Sequence, residues 1–304
     1  MEQYNHIFIR DMKLPISISK EPYFSYLLNL IDPYYESLTK YEAFKNAIEK
    51  NGFEEFTARN KELIQGTIDY LKSKPEYEEF NNLDMSEFDR KVHISKKELY
   101  HPDSVNNRFI SIDLTKANFQ SFRFAVPEIF DGSSSYNDFM MRRGADEYML
   151  LSKQIRQVIF GNLNPQRQQK IQLFIMNNIA ALLESHGVDL DTVYSLSSDE
   201  LVFEAGSHTE DYIKHVMNEL PQFDVRVEEF VLERPFKQPF YVKRFIDGTI
   251  SFKLVPSDSM AEFIKRFEGK AVEEMDLYYY DNSNKRLAKF IEPFIEDKLI
   301  ENEE

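Results

Sequence analysis

Three carboxylates stand where two strand-like stretches would bring them to one rim. Phe109-Ile110-Ser111-Ile112-Asp113-Leu114 reads as an apolar strand closed by an aspartate. Val193-Tyr194-Ser195-Leu196-Ser197-Ser198-Asp199-Glu200-Leu201-Val202-Phe203 reads as two short strands around a Ser-Ser-Asp turn. Carboxylates gathered on one rim repel one another unless a divalent cation or a basic group neutralises them. A hard, all-oxygen site with room for phosphate oxygens suits Mg²⁺, with Mn²⁺ as its substitute. Asp113, Asp199 and Glu200 are therefore the candidate catalytic and metal-holding residues. The plainer reading of each acid is structural, because Asp in a Ser-rich turn commonly serves the turn itself.

The segment joining these acids is the basic island of an acidic chain. From 142 to 170 it carries Arg142, Arg143, Lys153, Arg156, Arg167 and Lys170 against Asp146 and Glu147. A helix predicted over 146–162 has Tyr148, Leu151, Ile155, Val158 and Ile159 on one side and Lys153, Arg156, Gln157 and Phe160 on the other. A solvated face accounts for the Lys, Arg and Gln. The aromatic at its end and the glycine after it would also suit a wall that holds a base and a triphosphate, which makes these four residues the candidate nucleotide-binding set.

The elements that must position these groups follow in the order β, α, β, β, α, β over residues 109–232, the split βαβ of a ferredoxin-like sheet. In that topology the first and third strands are antiparallel neighbours at the centre, so Asp113 would meet Asp199 and Glu200. The fold class expected is α+β, an antiparallel sheet with helices on one face. Residues 1–108 form a mostly helical, aromatic N-terminal region in which Asp32 caps and Pro33 opens a helix running to about Asn51-Gly52. Glu76 to Phe80 fits helix or loop, Lys91 to Ser95 a short strand. Residues 233–304 supply a hairpin at Asp247-Gly248, a capped helix from Ser259 to Glu268, a strand at 276–280 and a terminal helix from Lys285 to Ile300.

Composition narrows the function classes. A net charge of −15 disfavours a protein that coats nucleic acid by bulk electrostatics, although the local charge of the basic island differs in sign. The absence of cysteine excludes disulfides, thiolate nucleophiles and Cys-held zinc. The six histidines are scattered; His208, Asp211 and His215 share a predicted helix opened by the capping-box spacing of Ser207 and Glu210, where a surface contact is favoured over a ligand pair. No run approaches the ~18 apolar residues of a membrane span. The N-terminus lacks the layout of a signal peptide, so no membrane partner and a cytoplasmic location are expected.

In sequence order, an aspartate ending a strand, a helix with Lys-x₆-aromatic-Gly, and an acidic strand turn resemble motifs A, B and C of palm-domain nucleic acid polymerases, especially DNA polymerase families A and B. The matching stretches are Asp113-Leu114-Thr115-Lys116-Ala117-Asn118-Phe119, Lys153 to Phe160-Gly161, and Ser198-Asp199-Glu200. The resemblance implies a palm-type core in which Asp113 and Asp199 bind catalytic Mg²⁺, Lys153 contacts an incoming nucleoside triphosphate and Phe160 lies against its base. It implies nucleic acid as a further partner. Two readings follow: a Mg²⁺-dependent nucleotidyltransferase, and a noncatalytic binding or scaffold protein that meets protein partners through its aromatic helical region or its C-terminal hairpin.

Overall fold

In the computed structural model, which describes residues 2–89, 92–94, 97–206, 213, 218–220 and 223–296, six strands assemble as one antiparallel sheet. They are β1 (Arg108–Leu114), β2 (Val193–Leu196), β3 (Glu200–Glu204), β4 (Val225–Glu233), β5 (Tyr241–Phe245) and β6 (Ile250–Lys253), in the order β2-β3-β1-β4-β5-β6. The expected central pairing is present: β1 lies between β3 and β4, antiparallel to both. Successive side chains leave a strand on opposite faces. On β1, Ile110, Ile112 and Leu114 enter the large core, while Phe109 joins a smaller cluster with Val202, Phe230, Leu232 and Tyr241.

The helices cover the larger core. Five precede the sheet: α1 (Asn5–Met12), α2 (Tyr23–Tyr35), α3 (Ser37–Asn51), α4 (Phe53–Ser73) and α5 (Pro75–Asn82). Between β1 and β2 run α6 (Ala117–Ala125), α7 (Tyr136–Arg142), α8 (Glu147–Leu151), α9 (Lys153–Gly161) and α10 (Pro165–Ser185), and α11 (Met260–Phe267) follows the sheet. One contiguous cluster of buried side chains extends from Phe8 through Phe119 and Ile175 to Ile295, so all three stretches of the chain share a core. The N-terminal aromatics are spent inside it: Phe8, Phe24 and Phe44 are fully buried. No helix among the described residues is long and apolar enough to cross a membrane.

Several local expectations are corrected. The first long helix does not stop at Pro33; the break falls at Glu36, whose φ of 49° turns the chain, and Asp32 reaches across it to accept the Leu38 N–H at 2.8 Å. Of the two readings for Glu76 to Phe80, the helix is the one found, within α5. Of the strand expected over 91–95, Val92, His93 and Ile94 are not strand, and Lys91 and Ser95 lie outside the described residues. The helix predicted over 146–162 is two helices. Ser152, fully buried, divides them: its hydroxyl accepts the Ile155 N–H at 3.1 Å as a cap and donates to the Asp11 carbonyl at 3.3 Å. In place of a terminal helix from Lys285, β7 (Tyr278–Asp281) and β8 (Arg286–Lys289) form a separate two-stranded hairpin whose turn is tied by Asp281 to the N–H groups of Ser283 and Asn284. Ser259 makes no side-chain cap on α11. The proposed set at 207–215 apart from Ile213 lies outside the described residues, as do residues 297–304.

Candidate functional site

The register of β1 places Asp113 opposite Glu200 on β3 and opposite Arg226 on β4. The β2–β3 turn that carries Asp199 is built on Ser197. The Ser197 hydroxyl accepts the N–H groups of Asp199 and Glu200 at 3.3 and 2.9 Å and lies 3.0 Å from Asp199 Oδ1, while its own N–H donates to the Glu200 carbonyl at 2.8 Å. The Leu114 N–H then donates to the Asp199 carbonyl at 2.8 Å, closing the turn against the end of β1. Asp113, Asp199 and Glu200 thus share one rim of the sheet.

Their electrostatic situations differ. Glu200 is paired: its Oε1 accepts from Ser111 Oγ at 2.8 Å and from Lys243 Nζ at 3.1 Å, and the Lys243 side chain is 5% exposed. Burial opposes the Glu200 charge, yet Lys243 and the Ser111 hydrogen bond hold its pKa below the ordinary value. Among the described residues Asp113 has only a distant cation, the Arg226 guanidinium at 3.8 Å, which also contacts Glu228 at 3.2 Å. Burial pushes the Asp113 carboxyl above its ordinary pKa; Arg226 offsets part of this, and the charges of Glu200, Asp199 and Glu228 add to it.

α9 borders the same rim. Lys153, Arg156 and Gln157 line, with Asp113 and Asp199, a single cavity of about 330 Å³ between the end of β1 and the start of α9. Its floor is Lys116, Ala117 and Asn118, the junction of β1 with α6. The wall is held from behind, because α9 packs on α1 and α4, and Asp11 of α1 accepts from Tyr148 Oη at 2.7 Å as well as from Ser152. The N-terminal helices therefore set the position of the basic face relative to the sheet.

Phe160 does not join that face. Its ring is 1% exposed and sits among Phe122 at 6.2 Å and Tyr136 at 6.1 Å. It shares the angular sector of Lys153, but seven residues displace it by about 10 Å along the axis. There α6 covers the helix. Lys116 and Arg226 were not among the residues singled out by sequence. Arg226 was legible in principle, since it alternates with the apolar residues of β4 and register sets it beside Asp113; Lys116 was hidden by a backbone kink, φ 50°, that no pattern announces.

Asp113 and Asp199 are hard oxygen donors that line one cavity, and the charge of Asp199 opposes that of Asp113. Glu200 is held by Lys243, and among the described residues no group of three His, Cys, Asp or Glu side chains is arranged to hold a metal ion. Comparison with family models, curated proteins and solved structures gives no match for this chain.

Proposed function

We propose that the chain binds a nucleoside triphosphate in the cavity between β1 and α9 and transfers its nucleotidyl group as a Mg²⁺-dependent, palm-type enzyme. The observation that carries this reading is the cavity itself: Asp113 and Asp199 from the sheet rim and Lys153, Arg156 and Gln157 from α9 line one space of about 330 Å³, at the low end of ligand-site volumes of ~300–1,000 Å³. The strand order β2-β3-β1-β4 within the larger sheet supports a ferredoxin-like, palm-type core, because it sets β1 and β3 side by side and antiparallel.

The roles follow from charge and position. Asp113 and Asp199 would hold Mg²⁺, which usually takes one or two protein carboxylates and completes its shell with water and substrate phosphates. When bound, the metal supplies Lewis-acid stabilisation of charge at the reacting phosphorus. Lys153 and Arg156 draw the phosphate chain to α9, and Gln157, one turn beyond Lys153, offers an amide to a polar part of the same ligand. Arg226 offsets part of the cost of the Asp113 charge. Nucleic acid as the acceptor belongs to this proposal and rests on the resemblance to polymerases.

A second reading retains one observation. Ile246 at the β5–β6 turn and Leu254 just after β6, at opposite ends of the hairpin, are 68% and 59% exposed, apolar side chains that a noncatalytic protein would present to a protein partner. The two are separated by transfer itself: purified protein is incubated with labelled nucleoside triphosphates, Mg²⁺ or Mn²⁺ and a primed template. Label in the primer that is lost in Asp113→Asn supports the enzyme. Triphosphate binding with no transfer in either metal leaves a noncatalytic protein.

A further inference from the structure

Lys116 and Arg156 approach the floor of the cavity from opposite elements, the β1–α6 junction and α9. Both are partly withdrawn from water: burial depresses the Lys116 pKa and the Arg156 charge depresses it further, while burial depresses that of Arg156. Two like charges in a shared, partly desolvated space normally bring a carboxylate with them. Here Lys116 Nζ donates to a neutral acceptor, Asn137 Oδ1, at 2.7 Å, and Arg156 has no ion-pair partner among the described residues. Asp224 eases the Lys116 charge only from beyond ion-pair distance.

Tyr136 lies beneath both cations, with its ring centroid 5.3 Å from Lys116 Nζ and 5.9 Å from the Arg156 guanidinium carbon. The Tyr136 hydroxyl, in a residue 1% exposed, has no hydrogen-bond partner among the described residues. A ring face offsets part of a cation's desolvation, but it supplies no counter-charge. The first turn of α6 adds to the same field: Lys116 makes no side-chain cap there, and Ala117 and Asn118, at the positive end of the nine-residue helix, line the cavity.

We infer that Lys116, Arg156 and the α6 N-terminus form an anion site that holds a di- or triphosphate chain without a divalent metal. Asp113 and Asp199, which line the same cavity, exclude a ligand that is anionic throughout and close to them. The phosphate chain must therefore lie toward Lys116 and Arg156, with a cation or hydrogen-bond donors toward the acids. Lys116 gains a role that the nucleotide-binding face of α9 does not include. The site deepens the nucleotide reading, yet its charge balance stands without catalysis.

The test is calorimetric titration of the full chain with inorganic pyrophosphate in the presence of a metal chelator, with thermal melting to verify folding. Wild type should bind. Lys116→Gln should weaken binding about ten- to a hundredfold, the loss of one charge-assisted contact of about 1.5–3 kcal/mol, and Lys116→Arg should restore most of it. Arg156→Gln gives an independent second variant should Lys116→Gln fail to fold. Absence of pyrophosphate binding by folded wild type, or equal affinity in wild type and both glutamine variants, overturns the site; Mg²⁺-dependent nucleotide binding would then still uphold the broader reading. Pyrophosphate binding with no nucleotide binding in Mg²⁺ upholds the site and removes the broader reading.

Discussion

Leu114 donates its N–H to the carbonyl of Asp199 at 2.8 Å, so the residue after one acid is fastened to the other. The distance between the two carboxylate-bearing backbones is thereby fixed by the sheet, and with it the acidic wall of the cavity. Substitutions of the side chains can then be separated from changes in the frame.

Asp113→Asn should leave the fold intact and slightly favour it at neutral pH. The sign follows from linkage. A carboxyl whose folded pKa lies above its unfolded value binds protons more tightly in the native state, so its contribution is fully present below the unfolded pKa and is lost as pH rises through the folded one. Near pH 7 the charged Asp113 is therefore a cost that asparagine removes. Chemical denaturation of both proteins from pH 3 to 7 would show a stability difference that grows with pH in favour of the variant; a variant less stable at pH 7 would contradict this.

Glu200 should behave in the opposite sense. Its folded pKa is depressed, so the stability it shares with Lys243 is present above the ordinary glutamate value and lost as pH falls through the folded one. Lys243→Met leaves Glu200 without its buried partner and should cost about 1–3 kcal/mol, less than a wholly buried pair because Glu200 retains some exposure. The double variant with Glu200→Gln should recover part of that loss in urea melts. Equal stability of wild type and Lys243→Met would mean that the pair is solvent-screened.

Lys153 and Phe160 were expected on one binding face, and they should now part. Lys153→Ala removes an exposed side chain, so the change in stability should stay under about 0.5 kcal/mol. Its affinity for a nucleoside triphosphate should fall while that for the nucleoside is unchanged. Phe160→Ala empties a core position and should cost about 3–5 kcal/mol. A Phe160→Ala protein of native stability with weakened nucleoside binding would return the ring to the site.

The difference between these two residues marks how far the sequence could be read. The alternation of β1 and the acidic turn between β2 and β3 sufficed to bring Asp113 to Glu200, because register in a sheet follows side-chain parity and strand order. A helical wheel gave the direction of Lys153, Arg156 and Gln157 but not what covers each turn, and so it misassigned Phe160. The division of the helix at Ser152 depends on Asp11, which is 141 residues away and beyond any local pattern. The hairpin of β7 and β8 was missed for a related reason: Lys285 to Ile300 has helical composition, and the turn chemistry at Asp281 outweighs it locally.

Ser152→Ala should cost about 0.5–2 kcal/mol, the range for a lost helix cap. Because Ser152 also ties α9 to Asp11, triphosphate affinity should fall with it although the serine does not line the cavity. Unchanged affinity in a destabilised variant would mean that α9 keeps its place through apolar packing alone.

The most direct measurement is calorimetric binding of a nucleoside triphosphate to wild type and Asp113→Asn, each with and without Mg²⁺. Wild type should bind more tightly when Mg²⁺ is present, and the asparagine variant should lose that metal-dependent gain while remaining folded. No nucleotide binding by folded wild type under either condition, or an identical Mg²⁺ dependence in both proteins, would contradict the assignment of this cavity to a metal-assisted nucleotide.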